Sequence, residues 1–157
     1  MIAKKIIELL KDREFVSVAT CGLNNRPNAA PKFLLKIENN FVYLIDYTIG
    51  RTWENIQINP QVSISFADTD SLKGYQVNGS VEIINEGPDY KKIVKELHDK
   101  EVSLSSKRIV EGIYRGKKHE NFEVIIPEKF IIFKVKIDDV VEICLCGDLK
   151  REKICES

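Results

Sequence analysis

Period-two runs of apolar residues, joined by connections too short to hold a helix, decide the topology of this chain. Phe15 to Thr20 alternates Phe15, Ser17 and Ala19 against Val16, Val18 and Thr20. The turn formers of Cys21-Gly-Leu-Asn-Asn-Arg-Pro27 lead into an extended stretch from Asn28 to Ile37. There Phe33, Leu35 and Ile37 are expected on one face and Lys32, Leu34 and Lys36 on the other. Glu38-Asn39-Asn40 reads as a tight turn into Phe41 to Asp46. Gln61 to Ala67 sets Val62, Ile64 and Phe66 opposite Ser63 and Ser65, and Gly74 to Ile84 sets Tyr75, Val77, Gly79, Val81 and Ile83 opposite Gln76, Asn78 and Ser80. Lys129 to Ile137 completes the set, with Ile131, Phe133, Val135 and Ile137 on one side. Parallel strands need long crossovers, so these hairpin-length links exclude a doubly wound parallel sheet. About six mostly antiparallel strands with flanking helices imply a small barrel, whose closure removes sheet edges.

The helical segments are fewer. Met-Ile-Ala-Lys-Lys-Ile-Ile-Glu-Leu-Leu at the start is amphipathic, too charged for a signal-peptide core. A second helix is expected from about Arg51 to Asn59, stopped by Pro60. Pro88 marks a third, with Tyr90, Ile93, Val94 and Leu97 as its apolar stripe. Ser103 to Gly116 is ambiguous, with room for another short helix, and Phe122 to Ile126 is compatible with an extended segment. The 157 residues fit one domain over 1–148, with a charged tail, 149–157, expected to fray. Lys plus Arg and Asp plus Glu stand at 24 each and are interspersed, so no basic field draws nucleic acid or anionic lipid. No apolar run spans a membrane, and a cytoplasmic protein is the expectation. Cys21, Cys144, Cys146 and Cys155 lack zinc-like spacing; the expectation is free thiols, the alternative a metal or redox site of the three C-terminal ones, with Cys144 and Cys146 sharing a face if Val140 to Cys146 is a strand.

The chemistry concentrates between Tyr43 and Ala67, a strand, a short loop, a helix and a strand. Thr48, Gly50, Arg51 and Thr52 fall at the helix start, with Asn55 one turn on. Unpaired N–H groups and the positive end of the macrodipole favour an anion there. Arg51 is a cation where a carboxylate is usual, and an external phosphate resolves that conflict. The alternative is a surface helix capped by Thr48 or Gly50, with Arg51 solvated.

The order and spacing of these segments resemble the FMN-binding split β-barrels related to pyridoxamine 5′-phosphate oxidase. The likeness runs through Phe-Val-Ser-Val-Ala-Thr, Arg-Pro-Asn-Ala-Ala-Pro-Lys-Phe and Tyr-Leu-Ile-Asp-Tyr-Thr-Ile-Gly-Arg-Thr-Trp-Glu-Asn-Ile, then Asn-Pro-Gln-Val-Ser-Ile-Ser-Phe and Gly-Tyr-Gln-Val-Asn-Gly-Ser-Val-Glu-Ile. It covers roughly Met1 to Leu97, and Phe130 to Ile137 resembles the closing strand. The resemblance implies a six-stranded antiparallel split barrel and a homodimer with FMN in a groove between subunits. It also implies cofactor-binding roles. Arg51 and Thr52 would hold the phosphate, supported by Asn55, with Asp46 and Thr48 beside the cofactor. Lys32 and Phe33 would pass the ribityl chain and ring, and Gln76 would contact FMN. Without it, Lys32 and Lys36 read as solvent-face lysines and the strip Gln76, Asn78, Ser80 as a plain outer face.

The likeness has gaps. True pyridoxamine phosphate oxidases carry a C-terminal segment with tryptophan and arginines for the substrate phosphate. Here Trp53 is the sole tryptophan, expected to pack on its helix, and the C-terminal region offers Cys-Leu-Cys-Gly instead. An FMN-dependent oxidoreductase other than a vitamin B6 oxidase is therefore the expectation, with the flavin doing the chemistry and no catalytic side chain assigned. His98 and His119 read as structural or solvated. The alternatives are a flavin electron carrier without a small-molecule substrate, or the same barrel holding a deazaflavin or haem.

Overall fold

The computed structural model describes residues 1–115 and 129–154. His119, the stretch Phe122 to Ile126 and Cys155 lie outside the described residues. The chain divides into two units, Met1–Ile84 with Phe130–Ser157, and Asn85–Lys129. In the first unit the elements are α1 (Ile2–Lys11), β1 (Phe15–Cys21), β2 (Pro27–Glu38), β3 (Phe41–Asp46), α2 (Arg51–Ile58), β4 (Gln61–Asp68), β5 (Lys73–Ile84), β6 (Ile131–Cys144) and β7 (Leu149–Lys153). In the second, α3 (Gly87–Tyr114) is one continuous helix. It takes in the ambiguous stretch from Ser103 as far as Tyr114, because neither glycine nor proline interrupts it between Pro88 and Gly112.

The strands run in the order β3-β2-β1-β4-β5-β6-β7, and a further β3–β6 pairing closes the first six into an antiparallel barrel. Every barrel strand contributes to one core, including Val18, Leu34, Leu44, Ile64, Val77 and Phe133. Helix α1 covers it with Ala3, Ile6 and Leu10, spaced to share one face. Ile6 and Leu10 are 0% exposed, each worth about 1.5–3 kcal/mol of burial. Ile56 of α2 joins the same core and Trp53 packs against it, as expected of that tryptophan.

One bulge changes the expected alternation, and a second lies past the expected end of the last strand. The β2–β3 register shifts between Leu34 and Lys36, so the phase reverses at Leu35. Lys36 consequently pairs with Tyr43, its ammonium 4.9 Å from that ring centroid, while Ile37 packs against the core. Lys32 and Lys36 therefore occupy opposite faces rather than one. On β6 the shift falls opposite Asn78/Gly79, so Ile137 and then Val140 face inward. The backbone passes so close there that a Cβ on Gly79 would sit 2.0 Å from the Lys136 carbonyl oxygen.

Part of the segment expected to fray, Leu149–Lys153, forms a strand instead. β7 pairs with Asp139–Ile143 of β6, and Glu152 accepts the Ala3 N–H at 3.2 Å, satisfying a donor at the start of α1. The turn at Leu145–Asp148 ends β6 at Cys144, so Cys146 lies in the hairpin rather than on a shared strand face. Beside it Glu142, only 3% exposed, bridges Lys5 of α1 and Lys73 of β5, each at 3.2 Å.

Two outcomes follow. Gly79→Ala should lower the unfolding free energy by about 1–3 kcal/mol or more in urea titrations, because the Lys136 backbone has to move. For Glu142, burial opposes ionisation, but the Lys5 and Lys73 ammonium groups outweigh it and hold the carboxyl below 4.5. A depressed folded pKa gives stability that is fully present above 4.5 and lost as pH falls through the folded value. The stability gap between the native chain and Glu142→Gln should therefore narrow below that pH.

Candidate functional site

The loop from Tyr47 to Gly50 and the first turn of α2 carry the densest polar arrangement outside the barrel interior. It starts inside. Lys32 lies on the inward phase of β2, opposite Val16, and Asp46 ends β3 on the same side. Lys32 Nζ donates to Asp46 Oδ1 at 2.7 Å, with the two side chains 5% and 1% exposed. Lys32, a solvent-face lysine when read without the family resemblance, is thus a buried partner of Asp46, since its strand phase points it inward and Asp46 compensates its charge. The same carboxylate oxygen accepts the Thr48 N–H at 3.2 Å and the Thr48 hydroxyl at 3.0 Å. Among the described residues, the buried Asp46 Oδ2 has no hydrogen-bond partner.

Beyond Thr48 the backbone is strained. Ile49 has φ of 42°, a left-handed conformation that a β-branched residue rarely adopts. Gly50 is the N-cap of α2, and no side chain caps the helix. The first intrahelical bond runs from Glu54 N–H to the Gly50 carbonyl, leaving the amides of Arg51, Thr52 and Trp53 without an intrahelical acceptor. Glu54 is the first-turn carboxylate. Arg51 is exposed and, among the described residues, has no ion-pair partner. An exposed guanidinium, three free amides and the positive end of a helix can together hold an anion.

A second polar cluster fixes the helix from behind. Asn28 donates to Thr52 Oγ1 at 3.1 Å, Asn55 donates to Thr20 Oγ1 at 3.1 Å, and Asn59 donates to the Cys21 carbonyl at 3.0 Å. Thr52 and Asn55 are 2% and 8% exposed, so their side chains anchor α2 to β1 and β2. Gly22 is part of the fit, because a Cβ there would meet Asn55 Oδ1 at 2.8 Å.

The structure therefore sorts the expected site residues into groups. Lys32, Asp46 and Thr48 form one hydrogen-bonded cluster, and Thr52 and Asn55 belong to the second. Arg51 is exposed at the helix start between them. Phe33 is 4% exposed, in edge contact with Phe15 at 5.6 Å and tilted against Tyr47 at 6.4 Å. Gln76 stands apart on β5, half-buried and paired with Ser65, on the sheet face opposite the core. Sequence reading missed Thr20, Gly22, Asn28 and Asn59. Thr20 had a signal, as the polar member of the inward set Val16, Val18, Thr20. The other three had none, because their partners are distant in sequence.

The model of the pyridoxamine 5′-phosphate oxidase family matches residues 2–140. An uncharacterised protein of Methanocaldococcus jannaschii is 31% identical over 101 residues, covering 61% of this chain and 66% of that protein, just under two thirds of its length. Among solved structures, a Clostridium acetobutylicum protein related to general stress protein 26 of B. subtilis, of the pyridoxinephosphate oxidase family, superposes with a TM-score of 0.63. It is 18% identical and the match covers 96% of this chain and 93% of that one. A pyridoxamine 5′-phosphate oxidase-related, FMN-binding protein of Nostoc punctiforme gives 0.56 at 17% identity, covering 99% and 95%. A structure described as an F420 reductase gives 0.54 at 18% identity, covering 85% and 94%. At these identities the solved structures establish the shared fold.

The contact between Gly22 and Asn55 has a measurable signature. Gly22→Ala and Asn55→Ala should each destabilise the chain, and Gly22→Ala should cost less once Asn55 is truncated. A double-mutant cycle should give a coupling within about 0.5–3 kcal/mol; additive losses would mean the two do not meet.

Proposed function

The chain belongs to the pyridoxamine 5′-phosphate oxidase family, and on that premise we propose that it is an FMN-binding oxidoreductase whose ligand phosphate sits at the start of α2. The observation that carries this reading is the uncapped helix start behind a strained Ile49, with Arg51 exposed and, among the described residues, unpaired. Backbone strain of this kind persists where surrounding structure holds it, and it clusters at ligand sites. Arg51 and the amides of Arg51, Thr52 and Trp53 would hold the phosphate. Thr48 and Asp46 would border the chain that follows it, and Phe33 and Gln76 would line the approach of the ring.

When bound, the isoalloxazine supplies the electron transfer. The chain's own residues bind and orient it. Asn28 holds Thr52, Thr20 holds Asn55, and together they fix the direction in which the α2 amides point. The substrate is taken to be other than pyridoxamine phosphate, and Trp53, packed against the core, is not available to a ligand as a ring platform.

A homodimer fits the outer surface of the barrel. Ser17, Ala19, Ala29, Pro31, Ser65 and Ala67 are all exposed there on three adjacent strands, small and uncharged in a chain with 31% charged residues. A flat run of small, uncharged residues suits a two-fold interface, in which the same patch of each copy meets the other. Lys32 does not belong to it, since it faces inward on the same strand.

The test is an absorption spectrum of the purified protein before and after FMN addition and gel filtration. Flavin bands should co-elute with a dimer. Arg51→Ala should weaken FMN binding on the order of 10–100-fold while leaving riboflavin, which lacks the phosphate, nearly unchanged. Retention of a deazaflavin or haem instead would move the ligand assignment. Binding of no cofactor would sink it.

A further inference from the structure

We propose that Lys32 is a positioning residue for the phosphate site, acting through Asp46 to hold the Tyr47–Gly50 loop in the shape that presents the α2 amides. This deepens the flavin-phosphate reading and rests on it. Three observations lead there. The Lys32 ammonium is committed to Asp46 Oδ1 at 2.7 Å and is 5% exposed, so it reaches no ligand from where it stands. That single oxygen also takes both donors of Thr48, the residue immediately before the strained Ile49. The loop contains neither a proline nor a glycine at its left-handed position, so its own sequence does not fix its shape.

Asp46 is therefore the anchor, and Lys32 is what allows a carboxylate to be there. Its other oxygen, Oδ2, has no hydrogen-bond partner among the described residues, and there Lys32 is the only cation paired with the carboxylate, the Thr48 donors being neutral. A buried carboxylate stripped of its counter-charge is strongly destabilised and moves toward water if it can. Asp46 can move only by dragging Thr48 and Ile49 with it. The amides of Arg51, Thr52 and Trp53, held next in the chain, would then lose their common direction.

The chemistry distinguishes this role from direct contact between Lys32 and the phosphate. Lys32→Met should speed hydrogen exchange at the Thr48 and Glu54 amides in the ligand-free protein, while amides in the β4–β5 pairing stay protected. It should also cut the ratio of FMN to riboflavin affinity by about tenfold or more. Lys32→Met/Asp46→Asn should restore both readings. The asparagine carbonyl still accepts from Thr48 and carries no charge to compensate. Direct phosphate contact predicts no rescue, because the ammonium is still missing.

The proposal is overturned by an unchanged ratio in Lys32→Met, by equal loss of FMN and riboflavin, or by a double variant that stays as defective as the single one. A single variant that does not fold leaves the double variant to decide. Native protein that binds neither flavin would remove the functional reading, whereas the exchange of Thr48 and Glu54 would still report whether Lys32 fixes the loop.

Discussion

The pairing of β3 with β6 is the contact on which the rest of this molecule depends. It runs from Phe41↔Lys136 to Asp46↔Ile131 and turns a sheet with two raw edges into a closed wall. Closure gives the inward phase of six strands a shared interior and leaves the outward phase to surface chemistry. It also fixes the end of β3 against β6, so the loop that follows departs from a rigid margin. An anion site built on that loop inherits its precision from the barrel and needs little structure of its own.

The polar side chains around α2 show how such a site is held. On one side a charged pair inside the wall reaches out to the loop through Thr48. On the other, carboxamides from Asn28, Asn55 and Asn59 tie the helix to the strands beside it. Buried polar groups are costly unless matched, and matched groups permit few alternative arrangements. Most of the residues that resemble cofactor ligands in the sequence are in this frame. Among them Arg51 and Thr48 are exposed, and Gln76 is half-buried on a different strand.

Strand positions, the antiparallel topology and the helix start at Arg51 were legible in the sequence because each has a local signature. Period-two alternation survives wherever pairing is regular. It failed at Leu35, where one extra residue reverses the phase and no local composition announces it. The inward direction of Lys32 was implied by its alternation with Leu34. A lysine is seldom buried without a partner, and that partner lies in the next strand, 14 residues on. Leu-Lys-Arg-Glu-Lys reads as a solvated tail for the same reason that it works as an edge strand: charge there discourages further pairing. Glycines 22 and 79 are explained by what approaches them in space, Asn55 and the Lys136 carbonyl, which sequence alone does not display.

The long β6 has a consequence for how the chain is made. One of its edges is divided between β3 and β7, and the other is filled along its length by β5. On a ribosome β1 to β5 emerge first, and all of residues 85–130 follow before β6 appears. Throughout that interval β3 and β5 carry open edges and the interior stays wet on one side. The barrel is thus assembled by its last long strand, and the nascent chain is most vulnerable to mispairing with its neighbours just before synthesis reaches Ile131.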